Sequence, residues 1–446
     1  MDIKAFLFLI ALVLGNLNLI GQEIYYSKGE IISDLKYLKS ELEQNHPNLY
    51  TYSSKTEVDN WFRDTYQKLT DTINQRKAFE IITSISSVLK DGHSYIYPSA
   101  KHLEDFFNSA PLFPLDVFLK NDSLFVVNNF SNEQNIPTGA ILTKINGKQV
   151  AEILDLIVQH TCRDGNNLEY PKHLTYQFFP AYYSYFFGFQ NQYTIEFTDK
   201  GKELNTAEIL GLTRSELKLK RAKPIKNGID FKILPNGYSA VLTIKSFDKE
   251  ILKNEYHQNF KREINDIFKT IKENEIKNLG IDLRDNQGGH LSNGIYLLQR
   301  FMDSTFQCLD SYYKVKNGQN EKFNERWSKF FKPNKDAFRG KVYVFTNGGS
   351  YSCSSIVANT VKENKRGQIV GEMTGGSAYV NSGAPNKVII LPNTKISFTI
   401  PKTKYNLRKD LSFIGAGVLP DVFIKDNPNK ILNGQDSYIE YFERQE

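Results

Sequence analysis

From about residue 230 onward, segments typical of buried strands alternate with segments typical of amphipathic helices. The strand-like segments are residues 238–244, 279–283, 342–345 and 369–370, and the helix-like segments are residues 255–276, 295–302 and 356–363. Such alternation builds βαβ units, whose strands are parallel and whose helices cover one sheet. The sequence therefore predicts an α/β core over residues 229–446, with a hairpin formed by residues 388–391 and 396–400.

Two further regions precede this core. Residues 22–105 carry three apolar stripes at helical spacing, and the first follows a capping box formed by Ser27 and Glu30. This pattern predicts an N-terminal helical domain. Residues 106–228 contain short β-type runs at 124–127 and 193–197, and an Asn-Gly turn between a strand and a helix at 139–150. We expect a β-rich middle domain, with the basic stretch 214–226 as a surface loop.

The first residues read MDIKAFLFLIALVLGNLNLIGQE. Lys4 precedes an apolar run over residues 5–15, which is too short to span a bilayer comfortably. Gly21 precedes Gln22 at a plausible cleavage site, so we expect residues 1–21 to be a signal peptide. A buried N-terminal helix is the alternative. The mature protein is expected to be exported, periplasmic or extracellular, without stable membrane insertion.

Charge and cysteine content exclude several other classes. The chain has 56 Lys and Arg against 50 Asp and Glu, and the basic residues are scattered rather than clustered, so nucleic-acid binding is not expected. The cysteines lack C-x-x-C spacing, and the histidines lack H-x-x-x-H spacing. We therefore expect no metal and no cofactor. The cysteines are Cys162, Cys308 and Cys353, and the histidines tested for this spacing are His46, His102, His160, His173 and His257.

Three short segments carry the candidate chemistry. Residues 341–356 read as a strand, a glycine turn, and serines that open a helix, where free N–H groups and the helix dipole favour negative charge. This arrangement suits a nucleophile beside an oxyanion hole. Alternatively, the serines only cap the helix.

The second segment, residues 280–290, runs from a strand into the paired glycines Gly288 and Gly289, which let backbone N–H groups approach an anionic centre. An ordinary tight turn is the alternative. The third segment, residues 89–94, places His93 directly after a helix end. Histidine is the side chain whose usual pKa suits base catalysis near neutral pH, although a structural histidine is the alternative.

The order of these motifs resembles that of the tail-specific (C-terminal processing) serine peptidases. The motifs are L-x-D-G-H-S, D-L-R-x-N-x-G-G, S-x-S-x-S-x-I, G-E-x-T-x-G and G-V-x-P-D. The pattern is closer to the branch that includes the tricorn core and the interphotoreceptor retinoid-binding protein. The resemblance implies a ClpP/crotonase-like βαβ core, an N-terminal helical bundle and a PDZ-like middle domain.

The resemblance also implies roles for individual residues. Ser352 corresponds to the nucleophile, and the backbone N–H of Cys353 to one oxyanion donor. The Gly288-Gly289 loop corresponds to the second donor. His93 matches the histidine that the tricorn-like branch uses as general base. The Cys353 thiol sits where the family has a small residue, so we expect it to pack rather than react.

Two positions depart from the family pattern. Ser377 occupies the place of the lysine that classical members use as base, which makes His93 more necessary. The tricorn-like branch orients its histidine through a serine and a distant glutamate, but Gly92 and Ile414 stand at those positions here. The orienting residue stays open, and the candidates are Asp91, Ser94, Glu372 and Asp410.

Two functions follow as hypotheses. The first is an exported serine-type peptidase that hydrolyses peptide bonds in polypeptides or oligopeptides. The second is a catalytically weak or inactive relative that binds a hydrophobic ligand or a peptide. The aromatic run at residues 176–187 is the feature that favours the second hypothesis, since it lines either an apolar pocket or the core. The oligomeric state is left open.

Overall fold

The computed structural model describes residues 24–199, 203–221, 227–316, 318–323, 326–407, 415–425, 430 and 433–445. The predicted signal peptide and the candidate Asp410 lie outside the described residues. The described part of the chain forms three main sheets and a small two-stranded sheet, with helices packed between and around them. This mixed α/β architecture confirms the predicted fold class.

The N-terminal region is mainly helical. Its elements are β1 (Tyr25–Ser27), α1 (Lys28–Asn45), α2 (Lys55–Lys68), β2 (Thr72–Asn74), α3 (Gln75–Thr83), α4 (Ser86–Leu89), β3 (Ile96–Tyr97) and α5 (Ala100–Asn108). The predicted capping box begins α1, because Ser27 Oγ accepts the Glu30 N–H and the Glu30 carboxylate accepts the Ser27 N–H. The third predicted stripe divides into α3 and the single-turn α4.

The middle region is built on an antiparallel sheet. Its elements are β4 (Leu115–Lys120), β5 (Ser123–Asn129), β6 (Ile141–Ile145), β7 (Lys148–Gln149), α6 (Val150–His160), α7 (Glu169–Gln177), α8 (Phe179–Phe187), β8 (Gln192–Thr198), β9 (Leu204–Leu210) and α9 (Arg214–Lys220). The sheet order is β4-β5-β6-β8-β9, with β7 paired to β6. The loop prediction for residues 214–226 is wrong over its first half, because Thr213 and Glu216 form a capping box that begins α9.

The C-terminal region contains the predicted βαβ core. Its elements are β10 (Ile229–Ile233), β11 (Ser239–Ile244), α10 (Lys249–Tyr256), α11 (Phe260–Glu273), β12 (Asn278–Asp282), α12 (Leu291–Leu298), β13 (Ser311–Lys316), β14 (Gln319–Lys322), β15 (Lys341–Thr346), α13 (Cys353–Glu363), β16 (Gln368–Gly371), β17 (Val380–Ile390), β18 (Ser397–Asn406), β19 (Val422–Phe423) and α14 (Ser437–Glu443). The main sheet has the order β10-β11-β12-β15-β16-β19 and is parallel from β11 onward. Ligand sites in such sheets lie at the carboxyl ends of the strands.

A second sheet joins the core to the N-terminal region. Its order is β14-β13-β18-β17, and the short strand β3 pairs with β18. The predicted hairpin is formed by β17 and β18, and it is longer than expected because β17 begins at Val380 and β18 ends at Asn406. Apolar residues of β17 and β18 also enter the hydrophobic cluster that the N-terminal helices share with the middle sheet. The pairing of β3 with β18 holds the chain just after His93 against the core.

Candidate active site

The loop between β15 and α13 presents Ser352 in a strained backbone conformation. Ser352 has φ 53° and ψ −118°, a backbone conformation that residues other than glycine rarely adopt. Holding a residue in such a conformation costs about 1–3 kcal/mol. Although Ser352 directly precedes α13, its side chain makes no capping hydrogen bond to that helix. The capping alternative therefore does not describe this serine, whose hydroxyl points elsewhere.

The segment that follows β12 holds the Ser352 loop in place. Ser350 Oγ donates to the Leu283 carbonyl at 2.8 Å, and it accepts the Asn347 N–H at 3.1 Å. The Tyr351 N–H donates to the Asn286 carbonyl at 3.0 Å. The loops that follow β12 and β15 are thus cross-linked, which offsets the strain stored at the serine.

The loop that carries His93 is held by two buried carboxylates. Helix α4 ends at Lys90, which takes the left-handed conformation with φ 50°. Asp91 Oδ1 then accepts the His93 N–H at 3.0 Å, and Asp164 Oδ1 accepts the Gly92 N–H at 2.9 Å. Both carboxylates are almost completely buried. The backbone on either side of His93 is therefore fixed from two directions.

The fold brings His93 and Ser352 together although 259 positions separate them. His93 Nε2 lies 3.1 Å from Ser352 Oγ. Burial lowers the pKa of His93 to about 4, although the nearby Asp91 carboxylate opposes the shift. The imidazole is therefore neutral near pH 7, which is the form that a general base requires.

The other ring nitrogen of His93 contacts a residue that the sequence did not indicate. Tyr351 Oη lies 2.9 Å from His93 Nδ1. None of the described candidates for the orienting group occupies this position. Asp91 binds the His93 backbone, Ser94 Oγ donates to Asp91 at 3.2 Å, and the Glu372 carboxylate lies 3.7 Å from Lys425 Nζ.

Two backbone N–H groups near the nucleophile are candidates for oxyanion donors. The Cys353 N–H opens α13 directly after Ser352. In the glycine pair, the Gly288 N–H donates to Asn286 Oδ1 at 2.9 Å, so it is already engaged. Among the described residues no acceptor is found for the Gly289 N–H. The geometry therefore favours Gly289 over Gly288 as the second donor.

Gly288 has a different role, which its close approach to the nucleophile explains. A Cβ atom at this position would lie 2.8 Å from both Cys353 N and Ser352 Cβ. Gly288 also has φ 96°, which disfavours any side chain. Its glycine identity lets the loop after β12 pack against the nucleophile.

Known proteins resemble the C-terminal region of this chain in sequence. Residues 239–424, which span the parallel sheet and the Ser352 loop, match the sequence profile of peptidase family S41. The α/β core of this chain is similar to peptidase family S41.

Two relatives with similar sequences are named as proteases. A probable CtpA-like serine protease of Staphylococcus aureus is 24% identical over 239 residues, which cover 52% of this chain and 43% of the relative. A carboxyl-terminal-processing protease of Picosynechococcus sp. is 24% identical over 250 residues, which cover 56% of this chain and 53% of the relative. The chain thus matches about half the length of these relatives.

The overall fold resembles that of a solved structure. The crystal structure of mature CPAF superimposes with a TM-score of 0.67 at 14% identity, covering 94% of this chain and 96% of that chain. Because the identity is low, this likeness establishes the fold alone. The structural similarity extends beyond residues 239–424 to the helical and β-rich regions.

The Cys353 thiol is buried. Burial raises its pKa above the ordinary value for cysteine, so the thiol stays protonated near neutral pH. Cys353 Sγ lies against the His290 carbonyl at 3.7 Å, and a Cβ added at Gly294 would lie 2.7 Å from it. These contacts are those of a packing residue. Cys162 and Cys308 are also buried and unbridged.

A second network of buried hydrogen bonds links the His93 loop to α1 and β17. Ser94 Oγ lies 3.1 Å from His46 Nε2, and Asp91 Oδ2 accepts the hydroxyl of Ser382 from β17. Asn48 Nδ2 donates to the same Ser382 hydroxyl at 2.5 Å. The end of α1, the His93 loop and the β17–β18 hairpin are thereby joined.

Metal-binding clusters and membrane-spanning helices are both absent from the described part of the chain. No group of three or more His, Cys, Asp or Glu side chains within it is arranged to hold a metal ion. Within the same residues, no helix combines the length and the apolar character needed to cross a bilayer.

Proposed function

We propose that this protein is an exported serine-type peptidase that hydrolyses peptide bonds in polypeptides or oligopeptides. Ser352 is the nucleophile and His93 is the general base. The observation that carries the proposal is the 3.1 Å contact between His93 Nε2 and Ser352 Oγ at the start of α13. Nucleophile and base at this separation, beside the backbone N–H groups of Cys353 and Gly289, form the arrangement that acyl transfer requires.

The acylation step follows from these positions. Ser352 Oγ attacks the scissile carbonyl carbon while its proton moves to His93 Nε2, and the carbonyl electron pair shifts to the oxygen. The N–H groups of Cys353 and Gly289 stabilise this oxyanion, an interaction whose loss costs about 10²–10³-fold in rate in other enzymes. The intermediate then expels the amine, which takes the proton from His93.

Deacylation repeats the same chemistry with water. His93 removes a proton from water as the water oxygen attacks the acyl carbon, and the Ser352 oxygen leaves and takes the proton back. The neutral state of the buried imidazole prepares it for both steps, since a histidine already protonated at working pH cannot accept the proton.

The relatives and the N-terminal sequence support the substrate class and the compartment. The matched relatives are named as proteases, one of them a carboxyl-terminal-processing protease. The apolar run at residues 5–15 supports export by removal of residues 1–21. We propose that the β-rich region presents extended peptide to the site by strand addition. N-terminal sequencing of the mature protein, expected to begin at Gln22, tests the export assignment.

The aromatic run does not favour the alternative of a hydrophobic-ligand binder. Phe179, Tyr183 and Phe186 of α8 are buried in the hydrophobic cluster of the N-terminal and middle regions. Tyr182 and Tyr185 line a cavity of about 20 Å³. Ligand pockets are usually about 300–1,000 Å³, so this cavity is too small for such a ligand. Tyr183, Phe186 and Phe187 also border a cleft of about 550 Å³, but most of the other residues that line this cleft are polar or charged, which does not suit an apolar ligand.

Labelling with a fluorophosphonate probe tests the proposed function without knowledge of the substrate. We expect the wild type to be labelled, Ser352→Ala to be unlabelled, and His93→Ala to be labelled much more slowly. Ser354→Ala is the matched control, because this nearby serine is buried and its hydroxyl has no hydrogen-bond partner among the residues that the structure describes. Labelling that survives in Ser352→Ala contradicts the nucleophile assignment. An unlabelled, well-folded wild type contradicts the function.

A further inference from the structure

We propose that Tyr351 and Asp164 are positioning residues that set the tautomer and orientation of His93. The site then consists of a chain of four side chains, Ser352–His93–Tyr351–Asp164. This inference rests on the proposed function, since it concerns the base of that reaction. It fills the place that the sequence left open between Asp91, Ser94, Glu372 and Asp410.

The contacts run in one direction from the nucleophile into the protein. His93 Nε2 faces Ser352 Oγ at 3.1 Å, and Nδ1 faces Tyr351 Oη at 2.9 Å. Asp164 lies beside the Tyr351 hydroxyl, because a Cβ atom added at Gly92 would lie 2.2 Å from Tyr351 Oη and 3.0 Å from Asp164 Oδ1. Burial raises the pKa of Asp164 to about 7, and the hydrogen bond from the Tyr351 hydroxyl opposes this shift. Tyr351 and Asp164 are both almost completely buried.

The hydrogen atoms in this chain have one consistent arrangement when Asp164 is ionised, which is the form that predominates above about pH 7. A carboxylate only accepts hydrogen bonds, so the single hydroxyl hydrogen of Tyr351 is donated to Asp164. The Tyr351 oxygen then accepts the hydrogen on His93 Nδ1. This leaves the lone pair on Nε2 directed at Ser352, which is the tautomer that a general base needs.

The surroundings of Asp164 and Tyr351 fix both groups. Asp164 Oδ1 accepts the Gly92 N–H at 2.9 Å, and Oδ2 accepts the Ser377 N–H at 3.0 Å. The Tyr351 ring stacks on Tyr170 with centroids 3.8 Å apart and planes within 5°. The hydroxyl therefore cannot leave His93 without disturbing a packed ring pair.

This arrangement also gives a reason for the glycine before His93. A Cβ atom at Gly92 would lie 2.2 Å from Tyr351 Oη and 3.0 Å from Asp164 Oδ1. The tyrosine hydroxyl and the carboxylate thus fill the space that a side chain at position 92 would need. The absence of a side chain at Gly92 therefore leaves the room that the Tyr351 hydroxyl occupies.

During the reaction the chain stabilises charge without moving a second proton. When His93 takes the Ser352 proton, the imidazolium keeps its Nδ1–H bond to Tyr351, and the Tyr351 hydroxyl keeps its bond to Asp164. The negative charge of Asp164 acts through the polarised hydroxyl. Orientation and charge are therefore supplied from the interior, away from the peptide substrate.

Two substitutions and one matched control test the inference. Tyr351→Phe removes the hydroxyl and keeps the ring, whereas Asp164→Asn introduces an N–H donor that turns the Tyr351 hydroxyl toward Nδ1 and imposes the wrong tautomer. We expect fluorophosphonate labelling to slow by up to about 10⁴-fold in Asp164→Asn, the loss seen when a catalytic histidine is held in the wrong tautomer, and by a smaller factor in Tyr351→Phe. Tyr170→Phe is the control, because its hydroxyl bonds to Tyr95 at 3.0 Å instead of His93.

A nitrogen-15 NMR spectrum of His93 supplies a readout that a merely structural role would not move. We expect the hydrogen on Nδ1 in the wild type and in Tyr170→Phe, and on Nε2 in Asp164→Asn. Labelling of Tyr351→Phe and Asp164→Asn at the rate of Tyr170→Phe overturns the inference while leaving the proposed function intact. A wild type that carries the hydrogen on Nε2 also overturns it. Absence of wild-type labelling instead contradicts the proposed function.

Discussion

Gly92→Ala perturbs the candidate site through a single methyl group. The added Cβ would lie 2.2 Å from Tyr351 Oη and 2.9 Å from Tyr351 Cζ. Carbon and oxygen atoms in contact are about 3.3 Å apart, so the hydroxyl has to retreat by about 1 Å. The backbone of Gly92 needs no positive φ, so the substitution tests close contact rather than backbone strain.

Both activity and stability should fall. A displacement of about 1 Å exceeds the tolerance of the 2.9 Å contact with His93, and misplacement on this scale costs about 10²-fold in rate. Overpacking of a buried site costs about 1–3 kcal/mol in the free energy of unfolding. The assays are the second-order rate of fluorophosphonate labelling and urea denaturation.

Gly29→Ala in α1 is the control, because the nearest atom to its added Cβ is Ser27 Oγ at 3.9 Å. The double variant Gly92→Ala/Tyr351→Phe sharpens the test. Removal of the hydroxyl should return part of the lost stability, because the closest contact disappears, but it should not return the labelling rate. Gly92→Ala that labels and unfolds like the wild type would refute the reasoning.

Three further outcomes are expected. Gly288→Ala should slow labelling by about 10²-fold, because its Cβ would lie 2.8 Å from Cys353 N and displace the nucleophile; an unchanged rate argues against close packing there. Cys353→Ala should keep labelling near the wild-type rate, and loss of labelling would point to a reactive thiol. Burial raises the pKa of Asp164 to about 7, so the native state holds a proton that the unfolded state releases between about pH 4 and 7. This carboxyl therefore costs stability as pH rises through that window, and Asp164→Asn should show a smaller decline there in urea titrations than the wild type; an identical decline counts against a raised pKa.

Much of the architecture could be predicted because it rests on local pattern. Alternating strand and helix periodicity indicated the parallel sheet, and the Ser27 capping box indicated the start of α1. The loop prediction was wrong at residues 214–220, where Thr213 and Glu216 form a capping box that begins a helix. The prediction relied on the basic composition of this segment and did not take the capping box into account. Charge alone did not distinguish a solvated loop from a short helix.

The sequence by itself determined which groups carry the candidate chemistry. Ser352 and His93 stand in short motifs whose order indicates a family, and the structure brings them to 3.1 Å. Such motifs are readable because each depends on neighbouring residues, such as a strand that ends at a glycine turn and a helix that begins at a serine.

The tertiary structure alone decided how those groups are held. Tyr351 is adjacent to Ser352 in sequence, but only the direction of its side chain places the hydroxyl on His93 Nδ1. Only the fold brings Asp164 to Gly92, and only the path of the glycine loop turns the Gly288 N–H toward Asn286. Hydrogen bonds are short and directional, so their partners depend on how distant segments pack, which no local pattern encodes.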